Sequence, residues 1–250
     1  MEAAARVRAA RWTDKDHVAA LIADALHPDP LAAWLIPEPP HRRRVLTQVA
    51  AIWVEHAMFY GDIHLTHDLN AATVGFHRYR PIPPPANYHH RLTDAAGEHT
   101  QRFEALDRLL TARRPTEPHY HLAFLAVAPT AQRRGLGTAM LAHHRARLDR
   151  IDLPSWTDTA AAHTLYTRHG YTIRPVVTLP DGPTLQHMVQ TRAQVRGIGG
   201  PTFPTGSGRQ DLGDPRQGRQ DLYRVDDEQQ ALARPRRGRS EALGYERRQV

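Results

Sequence analysis

Apolar residues recur at regular spacing up to about residue 190 and then stop. Val7 and Ala9 suit a short strand. Val18, Leu21, Ile22 and Ala25 fall on one face of a helix that follows Thr13-x-x-Asp16, a capping signal, and Pro28 and Pro30 end it. Val45, Val49, Ile52 and Trp53 mark a second helix after Pro37-Glu38-Pro39-Pro40. Residues 62–67 and 73–79 read as strands joined across Asp68-Leu69-Asn70. Pro81 to Pro85 form a stiff connector, and Phe103, Leu106 and Leu110 mark a helix ending at Arg113-Arg114-Pro115. The apolar run 120–127 predicts a strand, and an amphipathic helix ends near Arg150. A short strand at 155–158 and a helix at 160–169 follow, the helix closed by Gly170. Strands at 171–178 and 184–190 turn at Pro180-Asp181-Gly182-Pro183. This order predicts an α/β fold, a mixed central sheet with helices on both faces.

The end of the periodic signal sets the predicted domain boundary. Residues 191–250 hold 9 of the 16 glycines and 12 arginines against 8 acidic residues. They include the near-repeat Gly208-Arg209-Gln210-Asp211-Leu212 and Gly218-Arg219-Gln220-Asp221-Leu222. So few large apolar side chains do not offset chain entropy, and a folded domain over 1–192 with a disordered Gly/Arg-rich tail over 193–250 is expected.

Composition narrows the chemistry. The absence of cysteine excludes disulfides and cysteine-ligated metal. No apolar run has the length of a membrane span, and Met1-Glu2-Ala3-Ala4-Ala5 lacks a signal pattern, so a cytoplasmic protein without a membrane partner is expected. A net charge of +7 raises the question of nucleic acid. All but one of the 33 basic residues are arginine, a bias typical of a GC-rich genome. Only Phe203, Tyr223 and Tyr245 offer aromatic rings in the tail, so no nucleic acid is expected.

The stretch Gln132-Arg133-Arg134-Gly135-Leu136-Gly137 carries the strongest chemical signal. It lies between the run at 120–127, with Pro129 as a break, and the helix that ends near Arg150. Glycines let backbone approach an anion, and the free N–H groups of a helix start point at it. A dinucleotide fingerprint would need glycine at Met140, and a Walker loop would need a following lysine. Two glycines alone would suit a plain helix cap. Gln132 and the arginine pair between a strand and a helix favour a pyrophosphate.

That Q-x-x-G-x-G order resembles the acyl-coenzyme A loop of the GNAT acetyltransferase superfamily. Leu165-Tyr166-Thr167-Arg168-His169-Gly170-Tyr171 resembles the family's L-Y-x-x-x-G-F segment. The stretch from Arg114-Pro115 through Glu117-Pro118 to Val127 and Pro129, with Leu179-Pro180-Asp181-Gly182-Pro183, resembles the subgroup containing puromycin N-acetyltransferase. The resemblance covers roughly residues 6–192. It implies transfer of acetyl from acetyl-CoA, the co-substrate, to a primary amine of a small, antibiotic-like molecule. It also implies that the strand ahead of the loop splays from its neighbour. Leu125 and Val127 would then pair with pantetheine, and the Leu125 N–H would serve the oxyanion. The segment Gln132, Arg133, Arg134, Gly135, Leu136, Gly137 and Thr138 would hold the pyrophosphate. Tyr166 matches the tyrosine that protonates the departing thiolate; a core-packing aromatic is the plainer alternative, and Tyr171 is expected only to pack.

A general base is harder to name. Glu117, His119 and His121 start the strand on the expected substrate side, and Glu117 and His121 are the catalytic candidates. His119 and His121 project to one face, which also permits a metal pair, although no third ligand follows and no metal is expected. Most of the 17 histidines, including the His89-His90 and His143-His144 doublets, are expected at the surface. Asp158, at the end of the short strand, suits a group that orients substrate or the attacking amine, and equally a solvated strand end. The 154–166 interval looks about two residues shorter than the subgroup's spacing, with His163 where the family often has asparagine. Alternative readings are acetylation of a protein or peptide, or acyl-CoA binding without catalysis. A homodimer is a further expectation.

Overall fold

The computed structural model describes residues 6–191, so the tail lies outside the described residues. Strand β1 (Val7–Ala9) leads through a 3₁₀ turn into α1 (Lys15–Leu26). Asp14, not the expected Thr13, secures this entry. Its carboxylate accepts from the Arg11 N–H at 2.7 Å and from both Arg8 guanidinium nitrogens, which hold its pKa down to about 2. Pro30 then starts a second helix rather than only stopping the first: α2 (Pro30–Leu35) has Pro at its opening position and Asp29 capping the Leu31 N–H at 2.8 Å.

The long α3 (Pro39–Tyr60) feeds β2 (Gly61–Thr66) and β3 (Ala71–His77), close to the predicted strands. The proline connector leads to α4 (Tyr88–Ala96), which the sequence reading lacks, and to α5 (Thr100–Ala112). Only Leu92, Ala95 and Ala96 of α4 are buried, too brief an apolar stripe to stand out among its polar residues. Then follow β4 (Tyr120–Val127), α6 (Leu136–Ile151), β5 (Ser155–Thr159) and the short α7 (His163–Arg168). The chain closes with β6 (Thr172–Ile173), β7 (Val177–Thr178) and β8 (Thr184–Gln190). The strand expected at 171–178 is broken because Pro175 has no N–H to donate, so β6 and β7 flank the break against β8.

The sheet runs β1-β2-β3-β4-β5-β8-β6, antiparallel except at β4–β5. One core packs α1 and α3 on Leu65, Val74 and Phe76. Another sets Leu141 and Leu148 of α6 against Tyr120 and Leu122 of β4. Full burial of such a side chain contributes about 1.5–3 kcal/mol.

Two features of β4 position the site. It pairs with β5 only at Tyr120↔Ser155 and His121↔Trp156, so from Leu122 onward the two strands part. Strand geometry then turns alternate backbone groups of 122–127 into the gap. A bulge also interrupts the β3–β4 ladder: Val74 faces Phe124 but Gly75 faces Leu122. The extra residue, Ala123, shifts the alternation by one. Tyr120, Leu122 and Leu125 therefore share the core beside α6, whereas Phe124 and Ala126 join the core beneath α1 and α3.

Candidate active site

At the far end of β4 the chain turns through Pro129–Ala131 and reaches α6 with Arg133 at φ +62° and Gly135 at φ +81°. The first backbone bond into α6 is Ala139 N–H to Gly135 carbonyl, 2.9 Å, and no side chain caps the helix. Leu136, Gly137 and Thr138 thus have no helical acceptor. The first turn contains no acidic residue, and Arg133 and Arg134 are exposed beside it. This is a helix start with free donors, positive dipole and two cations, which suits an anion.

The glycines serve different needs. Gly135 takes a left-handed conformation, and a Cβ there would meet no atom of the described residues within 4 Å. At Gly137 the added Cβ would lie 3.2 Å from Leu165 and 3.8 Å from Val127. Its lack of a side chain therefore also serves close packing of α6 against Leu165. Gln132 likewise braces the loop by donating to the Val127 carbonyl at 3.2 Å.

Tyr166 of α7 is buried and lies in the same core as Leu125, with its ring edge-on to Tyr171 at 5.3 Å. Burial raises its pKa to about 12 against an opposing hydrogen bond with Thr157 on β5, so the phenol is a weaker acid than an unperturbed tyrosine. Tyr171 does more than pack: its hydroxyl donates to Ser155 Oγ at 2.7 Å. Ser155 Oγ also meets His144 Nε2 at 2.9 Å. The expected surface position of the His143-His144 doublet is therefore wrong for His144, which is 2% exposed. His143 is half-buried, while His89 and His90 are exposed. His56, His119 and His187 are buried as well. Helical spacing on α6 reveals which face a histidine occupies but not the distant serine that satisfies it.

On the α1 and α3 side of the sheet lies a cavity of about 470 Å³. Its walls are largely apolar, with Leu35, Val49, Trp53, Phe103, Leu106 and Phe124 among them. It reaches His121 on β4 and Asp158 on β5, beside the strand gap. His121 stacks on Trp156 with centroids 4.9 Å apart, and His119 meets the same ring at 5.3 Å, so the two histidines share a face as expected. Burial, then the charges of Arg78 and Arg114, lower the His121 pKa to about 3. It is held neutral and is a poor proton acceptor. Glu117 is exposed, and it is not part of the cavity wall; its carbonyl accepts from His119 Nδ1 at 2.7 Å.

The sequence left Asp158 either a group that orients the amine or a solvated strand end, and its side chain is only 13% exposed. Its Oδ1 lies 2.7 Å from His187 Nδ1, which is also 2.8 Å from Trp156 Nε1. One ring nitrogen serves a single hydrogen bond of either kind. The charge-assisted bond to the carboxylate is the stronger, which puts the proton on Nδ1. Asp158 Oδ2 is buried without a hydrogen-bond partner among the described residues. Among the described residues no group of three or more His, Cys, Asp or Glu side chains converges as a metal site.

Residues 104–173, the stretch from α5 to β6, match the family model described as an acetyltransferase (GNAT) domain. The fold is similar to a solved histone acetyltransferase HPA2 and related acetyltransferase from Corynebacterium glutamicum ATCC 13032 (TM-score 0.56, 19% identity), covering 77% of this chain and 99% of that one. It is also similar to mosquito arylalkylamine N-acetyltransferase like 5b (TM-score 0.51, 15% identity), covering 74% of this chain and 99% of that one. The protein carries a GNAT acetyltransferase domain. It is an acyltransferase of the acetyl-CoA-dependent class.

Proposed function

We propose that this protein acetylates the primary amine of a small molecule with a substantial apolar part. The observation that carries this reading is the largely apolar cavity ending at His121 and Asp158 beside the β4–β5 gap. Its volume lies in the range of small-ligand pockets. Such an acceptor is of the kind that the mosquito neighbour's name describes, and the resemblance to the puromycin subgroup adds aminonucleosides to the candidates.

Acetyl-CoA supplies an acetyl thioester. The free N–H groups of Leu136, Gly137 and Thr138, with Arg133 and Arg134, would hold its pyrophosphate, and the unpaired edge of β4 at Leu125 and Val127 would take the pantetheine arm. Asp158 Oδ2 is suited to accept a hydrogen bond from the incoming ammonium and to take its proton. Its other oxygen is fixed by His187. The amine nitrogen then bonds to the acetyl carbon, the carbon–sulfur bond breaks, the thiolate receives a proton from Tyr166, and the second proton shed by the acetylated nitrogen restores the phenol. The Leu125 N–H would donate to the oxyanion.

Thiol release measured over arylalkylamines, polyamines, aminonucleosides and amino acids tests the reading. At least one amine should drive turnover, and Asp158→Asn should lower kcat/KM for it about a hundredfold with acetyl-CoA affinity unchanged. Tight acetyl-CoA binding without amine-dependent thiol release would instead mark acyl-CoA binding without catalysis.

A further inference from the structure

The cavity's polar end holds more positive charge than an amine acceptor calls for. Arg78, just past β3, and Arg114, just past α5, both line it. Neither guanidinium forms an ion pair with a described carboxylate. Arg78 Nε is buried with no hydrogen-bond partner among the described residues, and the guanidinium lies over the Phe76 ring at 5.4 Å. The cavity's own acids are engaged elsewhere: Asp107 accepts from the Tyr88 hydroxyl at 2.5 Å, and Asp158 Oδ1 is bonded to His187.

The half-buried Arg78 has no counter-ion among the described residues, and the exposed Arg114 adds a second positive charge beside it. Burial and the Arg114 charge lower the Arg78 pKa to about 10, and both arginines also disfavour protonation of His119 and His121. A lone ammonium entering here would be repelled as well. An anion between the guanidiniums would supply the missing acceptor for Arg78 Nε, and the planar fork of arginine matches a carboxylate. Position supports this. The Arg78 N–H donates to the His119 carbonyl at 2.8 Å, which sets Arg78 beside the start of β4, while Asp158 lies on β5, the next strand.

We infer that the acceptor is an amino acid with a large apolar side chain, its carboxylate held by Arg78 and Arg114 and its amine directed to Asp158. The inference rests on the acetyl-transfer reading above and specifies its substrate class. The apolar side chain would occupy the part of the cavity lined by Leu35, Trp53 and Phe103.

Matched pairs that differ only in the carboxylate provide the test: phenylalanine against phenethylamine, and tryptophan against tryptamine. In the unmodified protein kcat/KM should favour the carboxylate member by about tenfold or more, as hydrogen bonds to charged groups warrant. Arg114→Ala and Arg78→Lys should each shrink that ratio at least about fivefold. The ratio is taken within one preparation, so a loss of folded protein cancels. Equal use of both members, preference for the plain amine, or an unchanged ratio in both variants would overturn the inference. Preference for the phosphonate analogue of phenylalanine would overturn the carboxylate in favour of a phosphate-like group. No thiol release with any amine, acetyl-CoA binding being intact, would overturn the acetyl-transfer reading itself and this inference with it.

Discussion

Tyr166 shows how far one residue's surroundings revise its chemistry. Its burial raises the phenol pKa to about 12, so it remains protonated throughout the neutral range and contributes no ionisation to the pH–rate profile there. A proton donor of this kind should reveal itself in rate alone. Tyr166→Phe should lower kcat by about a hundredfold, with acetyl-CoA affinity little altered. The lost Thr157 bond should cost about 1 kcal/mol of stability. Tyr166→Ala is uninformative because it opens a cavity in the core. Wild-type kcat in the Phe variant, measured where chemistry limits the rate, would leave Tyr166 a packing residue.

The loop and α6 act together, and their two glycines separate binding from folding. Gly135 has φ +81° and open space where a side chain would project. Gly135→Ala therefore meets backbone strain of about 1 kcal/mol and alters the N–H groups that face the anion. Calorimetry should show acetyl-CoA binding weakened at least about tenfold, an effect of about 1.4 kcal/mol, with a modest fall in Tm. At Gly137 the crowded neighbours are Leu165 and Val127. Gly137→Val should accordingly lower Tm more than Gly135→Ala does, by overpacking worth about 1–3 kcal/mol. The reverse order of Tm losses would contradict this division of roles.

For the whole molecule, buried histidines set the response to acid. Burial, with the nearby Arg147 charge, lowers His64 to about 4 and His144 to about 3; burial with Arg78 and Arg114 lowers His121 to about 3. Each binds protons more readily when unfolded, where its pKa is about 6.5. Their stabilisation is complete above that value and is lost as pH falls below it, by up to about 1.4 kcal/mol per pH unit for each group. Asp14 is depressed too, but its contribution fails only below the ordinary aspartate range. Thermal melts should be level from pH 8 to 7 and fall steeply from pH 6.5 to 5; equal Tm at pH 7.5 and 5 would refute the assignment. The domain itself should end soon after β8, which already pairs with β5, β6 and β7. A chain truncated after Arg196 should keep its Tm and turnover, and a large loss of either would place the boundary further on.

The sequence alone determined what depends on neighbouring residues. The run 120–127, the glycine loop, the amphipathic face of α6 and the Pro180–Pro183 turn are local patterns of propensity and backbone freedom. The tertiary structure decided what depends on partners far along the chain. Arg147 meets Asp62 across 85 positions, and Tyr171 and His144 converge on Ser155 from different elements. Periodicity tells which face a side chain takes, not what lies opposite, so the His143-His144 doublet read as surface. Ala123 gives no sign that it will bulge and re-aim the strand. Arg78, Arg114, His121 and Asp158 lie on separate segments, and only the packing of α1–α5 over the sheet brings them to one cavity. Glu117, in the bend just before that strand, is exposed.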